Sequence, residues 1–138
     1  MAIAALLCWL VTAVLGLTMF GLWLRNGGLR AARGDASFPT RLVPPLIFGH
    51  LFLAVAGLVV WIIYIVNKEV LLAWTALGLL VLVAVLGEMM FLRWKNGRTE
   101  GTPESRFPLA IIYGHGLFAV ATVVLVVLVL LTALGIGT

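Results

Sequence analysis

The chain has 138 residues, of which 64% are hydrophobic and 10% charged, a balance outside the range of soluble domains. That length is enough for one domain, residues 1-138. The formal charge is +4, and a single cysteine, Cys8, excludes an intrachain disulfide and a thiolate metal cluster.

Four apolar runs follow in order, at about residues 3-24, 43-66, 70-92 and 109-134. Each is long enough to cross a ~30 Å hydrocarbon core as a helix, and none alternates with polar residues as a barrel strand does. The first run does not fit a secretory signal: no basic residue precedes it, its apolar stretch is too long, and no small-residue cleavage site follows. The predicted fold class is therefore all-α, an integral membrane protein with four transmembrane helices in an antiparallel bundle.

Spans one and three are each closed by a basic residue followed by Asn-Gly, at Arg25-Asn26-Gly27 and Lys95-Asn96-Gly97, which predicts left-handed glycine caps. The loops after them, about 27-42 and 97-107, contain Gly, Pro and mixed charge and are expected to be ordered only locally. Spans two and three are joined by Asn67-Lys68-Glu69, too short for anything but antiparallel neighbours. Trp23, Trp74 and Trp94 fall near the ends of spans, where indoles anchor helices at the interface.

The basic residues set the orientation. Eight of the nine, Arg25, Arg30, Arg33, Arg41, Arg93, Lys95, Arg98 and Arg106, flank the two long loops, and Lys68 alone is on the other side. The positive-inside rule makes those loops (25-42 and 93-107) cytoplasmic and both termini external, in a multi-pass cell (inner) membrane protein. Nucleic acid is excluded as a partner, because the charges sit in short juxtamembrane loops without a binding motif.

The chain also repeats itself. Gly49 to Gly57 reads Gly-His-Leu-Phe-Leu-Ala-Val-Ala-Gly, and Gly114 to Thr122 reads Gly-His-Gly-Leu-Phe-Ala-Val-Ala-Thr. Arg41 precedes the first histidine by nine positions, and Arg106 the second. Repeat one covers 1-67 and repeat two 68-138. Two hairpins of even span number share an orientation, so a pseudo-two-fold axis along the membrane normal is expected. Spans two and four then lie diagonally, with His50 and His115 at one depth, roughly 13 Å inside their arginines at 1.5 Å per residue.

A histidine in hydrocarbon needs a partner for its ring N–H and marks a functional site. Ala54 and Gly57 follow His50 on its own face, as Ala119 and Thr122 follow His115, and Gly49 and Gly114 flank the two rings in sequence. Two imidazoles beside strips of small residues suit a flat macrocycle: haem b, its iron held by His50 and His115, with Arg41 and Arg106 toward the propionates. Glu88 is the one acid within a span; it could orient His115 or relay a proton, or pair with Arg93 or Lys95. Aligning Lys95 with Arg25 puts Thr18 in the equivalent place.

In these residues the chain resembles small four-helix b-type cytochromes of the membrane, and its repeat is similar to that of small uncharacterised four-span proteins of actinobacteria. The first resemblance implies electron transfer between a quinone and a protein partner, as a small subunit of a respiratory complex. Two further readings fit the same residues. In one, the protein is a cofactor-free structural or assembly subunit, or a homo-oligomer, whose histidines and small residues pack helices. In the other, it binds a pigment or a metal ion, although two histidines without a third ligand make a poor zinc site. No nucleophile–base set, phosphate loop or C-x-x-C is present, and Ser37 and Ser105 lie in loops away from any histidine, so autonomous enzymatic activity is not expected.

Overall fold

A computed structural model describes residues 1-34 and 40-136. Four long helices form the bundle: α1 (Ala2–Arg25), α3 (Pro44–Asn67), α4 (Val70–Gly97) and α5 (Leu109–Ala133), with a short α2 (Gly28–Ala32) after α1 and a 3-10 turn at Pro103–Arg106 before α5. All four long helices are long and apolar enough to cross a membrane, and their outer faces expose residues such as Leu7, Val14, Phe52, Leu71, Leu117 and Val120. A bilayer satisfies such a surface; water does not. Ser37 lies outside the described residues.

The helices form a ring in which α3 packs along α4 and α1 along α5, while α1 meets α3 and α4 meets α5 more sparsely. Each span thus leans chiefly on a span of the other repeat. As expected, α3 and α5 are diagonal. Two packed regions close the ring at its ends. One is built from Ala5, Trp9, Trp61, Tyr64, Ala73, Ala76, Leu80, Val126, Val129 and Leu130. Trp61 donates its Nε1–H to the carbonyl of Ala2 there at 3.3 Å. The other, at the basic end, is built from Trp23, Leu42 and Ile47, with Phe20, Met90 and Phe107 against them. Lipid tails are as apolar as these side chains, so close van der Waals fit holds them together.

Three expectations need correction at the basic end. Gly27 is left-handed at φ 91°, but Gly97 stays helical, and α4 continues to it. What Gly97 supplies is space: a Cβ there would stand 2.7 Å from Cδ of Arg41, whose side chain crosses it. Trp23 and Trp94 are 1% and 4% exposed, so they fill the basic end rather than anchoring it from outside; Trp74, 48% exposed, does face outward.

The described parts of the loops are also more than locally ordered. Glu104, in the 3-10 turn, is fully buried. Its carboxylate accepts from the Arg41 N–H at 2.7 Å, the Leu42 N–H at 3.3 Å and the Thr40 hydroxyl at 3.0 Å. Those amides lie just before the first turn of α3, where no carbonyl one turn back is available to them. Asn26 completes the tie by donating to the carbonyl of Pro103 at 3.0 Å. Glu104→Ala takes the acceptor from the Arg41 N–H, and leaves the Leu42 N–H only the Thr40 hydroxyl at 3.2 Å and that hydroxyl only the Leu42 carbonyl at 3.3 Å, a cost of about 1–3 kcal/mol. We expect an earlier unfolding midpoint in detergent and faster proteolysis of both loops, with Glu104→Gln, which keeps an acceptor, less affected.

Candidate functional site

His50 on α3 and His115 on α5 converge. Their ring centroids are 6.2 Å apart, with planes at 51°. Each ring is anchored the same way. His50 Nδ1 lies 3.0 Å from the carbonyl oxygen of Val83 on α4, and His115 Nδ1 lies 2.9 Å from that of Thr12 on α1. A carbonyl can only accept, so Nδ1 carries a proton in both rings, and in the neutral imidazole Nε2 then keeps its lone pair.

A helical carbonyl is normally shielded by the side chain four residues on, the residue whose N–H it already accepts. Here that residue is glycine twice: Gly87 follows Val83 and Gly16 follows Thr12. A Cβ on Gly87 would stand 3.2 Å from Cε1 of His50, and one on Gly16 3.0 Å from Cε1 of His115. The missing side chains bare the second lone pair of each carbonyl and admit the imidazole.

Sequence reasoning missed these two glycines, although the signal was present. Gly16, Phe20 and Trp23 recur as Gly87, Phe91 and Trp94, a register of 71 residues. Aligning the Asn-Gly pairs instead gives 70, one residue off. In the structural register Leu17, not Thr18, is the equivalent of Glu88. Thr18 faces outward, its hydroxyl donating to the Val14 carbonyl at 2.8 Å.

The rings border a cavity of about 630 Å³ between the four helices, lined by Gly16, His50, Ala54, Gly87, His115, Ala119 and Thr122 among mostly apolar side chains. That volume lies within the ~300–1,000 Å³ range of small-molecule sites. Of the small residues singled out from sequence, Ala54, Ala119 and Thr122 face this space, with Thr122 donating to the Phe118 carbonyl at 2.7 Å. Gly49, Gly57 and Gly114 serve helix packing instead. Their Cβ positions meet Leu86 at 3.8 Å, the Trp9 indole at 3.0 Å and Leu15 at 3.4 Å.

Glu88 is exposed at the edge of the cavity. It does not orient His115, whose N–H goes to Thr12. Among the described residues no ion pair joins it to Arg93 or Lys95; Arg93 Nη1 donates to the Arg41 carbonyl at 3.2 Å.

Arg41 and Arg106 do not line the cavity. The Arg41 guanidinium is engaged by Glu100, with Nε 2.6 Å from Oε2 and the second nitrogen on Oε1. That hydrogen bond raises Arg41 above its ordinary pKa and holds the Glu100 carboxyl below the usual carboxylate value of 4.5. Arg106 is exposed and lines a separate basic pocket with Arg25, Arg30 and Arg33.

Two outcomes follow from this geometry. Gly87→Val covers the Val83 carbonyl and crowds His50, at a cost of about 1–3 kcal/mol. Nitrogen-15 NMR of the histidine rings should show the Nδ1–H tautomer at both sites in the parent and lose it at His50 alone in the variant. Glu100, with its pKa depressed in the folded state, stabilises above the unfolded carboxylate value, and this is lost as pH falls through the lower folded value. Glu100→Gln should flatten that part of the acid-unfolding curve and leave neutral-pH stability little changed, since solvent screens an exposed pair.

Comparison with protein-family models, curated proteins and solved structures finds no match to this chain.

Proposed function

We propose that the chain is a membrane electron-transfer protein that holds one haem b between His50 and His115. The observation that carries this reading is the pair of imidazoles whose Nδ1–H groups are both spent on backbone carbonyls. Metal-ligating histidines characteristically donate their second nitrogen in this way, which fixes the tautomer and makes the free Nε2 more basic.

The spacing also fits. Imidazole–metal bonds of about 2.0–2.1 Å on each side put opposed ring centroids roughly 6 Å apart, and these stand at 6.2 Å. One shared metal suits that separation better than two pigments, each on its own histidine. When bound, haem supplies a reversible one-electron iron couple. The chain's own residues fix both ligands by hydrogen bonds and surround the site with apolar side chains. With His50 and His115 both engaged as ligands, the site would favour outer-sphere electron transfer over oxygen chemistry.

The electrons would come from and go to a quinone or a protein partner in the same membrane. On the positive-inside rule the basic end faces the cytoplasm. His50 and His115 each lie six residues inside the start of their helices, at Pro44 and Leu109, roughly 9 Å along the axis. That puts them in the same half of the bilayer, so one haem does not complete a path across it.

The competing reading is that the histidines only fasten helices. It draws on the same carbonyl bonds, which tie α3 to α4 and α5 to α1 at ~0.6 kcal/mol each. Absorption spectra of the oxidised and dithionite-reduced protein, purified with haem supplied, separate the two. The haem reading predicts sharp low-spin bands in the reduced protein, lost in both His50→Ala and His115→Ala. A folded, colourless protein would leave the fastening role.

A further inference from the structure

A second site lies at the basic end, independent of the histidines. Four arginines that are up to 81 positions apart in the chain line one pocket of about 500 Å³: Arg25 from the last turn of α1, Arg30 and Arg33 on and after α2, and Arg106 from the 3-10 turn. The Asn26–Pro103 hydrogen bond brings Arg106 to the others. Asp35 lies outside the described residues; of the described acids nearby, Glu100 is committed to Arg41 and Glu104 to Thr40 and the start of α3. The pocket therefore presents concentrated positive charge in guanidinium forks, which match phosphate oxygens two at a time.

The apolar part of the pocket identifies the kind of phosphate. Leu24 and Leu29 also line it, and both are more than a third exposed. Leu24 belongs to the membrane-spanning helix α1 and Arg25 ends it, so the pocket sits where hydrocarbon gives way to headgroups. We propose that this pocket binds the headgroup phosphate of an anionic phospholipid, with its acyl chains running down beside Leu24. A basic pocket on a membrane protein's cytoplasmic side is suited to such a ligand. A free phosphate shares the charge but has no use for the exposed leucines.

The test is binding of phosphatidylglycerol to the full chain, delipidated in neutral detergent and followed by native mass spectrometry. Each arginine near the membrane surface contributes about five-fold to binding. Arg30→Gln with Arg33→Gln should then weaken binding about 30-fold, while Lys68→Gln, at the opposite end, leaves it unchanged. Arg106→Lys keeps the charge and should lose only a few-fold, which guards against misreading a folding defect; the melting temperature of each lipid-free variant checks folding directly. Equal binding of phosphatidylcholine, or full binding by the double variant, would overturn the proposal. Displacement of the lipid by millimolar inorganic phosphate would reassign the pocket to a soluble anion.

Discussion

The bundle depends on an imidazole reaching a carbonyl that a helix normally keeps covered. A half-buried histidine in hydrocarbon has no water to satisfy its ring N–H, and among the described residues no side chain accepts it. The chain answers this with backbone: the Val83 and Thr12 carbonyls each take a second hydrogen bond because Gly87 and Gly16 leave them open. The same contact fixes the rotamer and tautomer of each ring, brings α3 onto α4 and α5 onto α1, and leaves both Nε2 atoms as acceptors. Structure and candidate chemistry thus rest on one arrangement, made twice.

Its duplication explains the unequal packing of the ring. The tightly joined pairs, α3 with α4 and α1 with α5, are those the histidine bonds bridge. The looser seams between pairs border the cavity. Aromatic residues border it toward both ends: Trp9 on one side, Phe20 and Trp23 on the other. The two halves are not identical. Gly57 makes room for the Trp9 indole, while in the other repeat the corresponding places hold Thr122 and Leu80. A large residue beside none, and two of middle size, fill similar space with different shapes.

At the basic end the constraint is electrostatic. Glu104 carries its charge into a fully buried position, which is tolerable because two amides and a hydroxyl converge on it. Loop and helix are thereby held in register, and α1, α3 and α5 enter the bundle from a common platform. That platform also takes Arg41 away from the cavity and gathers the other arginines at its edge.

Much of this was legible in the sequence. Hydropathy alone determined four helical spans, because backbone polar groups in lipid must be satisfied within each segment. The short link at Asn67–Glu69 made α3 and α4 neighbours, and the Gly-His repeat made the two histidines equivalent and diagonal. What sequence could not decide was who meets the rings. Helical spacing identifies the face a residue occupies on its own helix, but not the axial offset between helices, and a one-residue error moves a side chain about 100° around the axis. Hence Glu88 and Thr18 stood in for Gly87 and Gly16, and Arg41 was assigned to the site instead of to Glu100. Backbone carbonyls also leave no trace in residue type. Only the packed tertiary structure, which sets that offset, shows that the histidines' partners are two carbonyls uncovered by side chains that are not there.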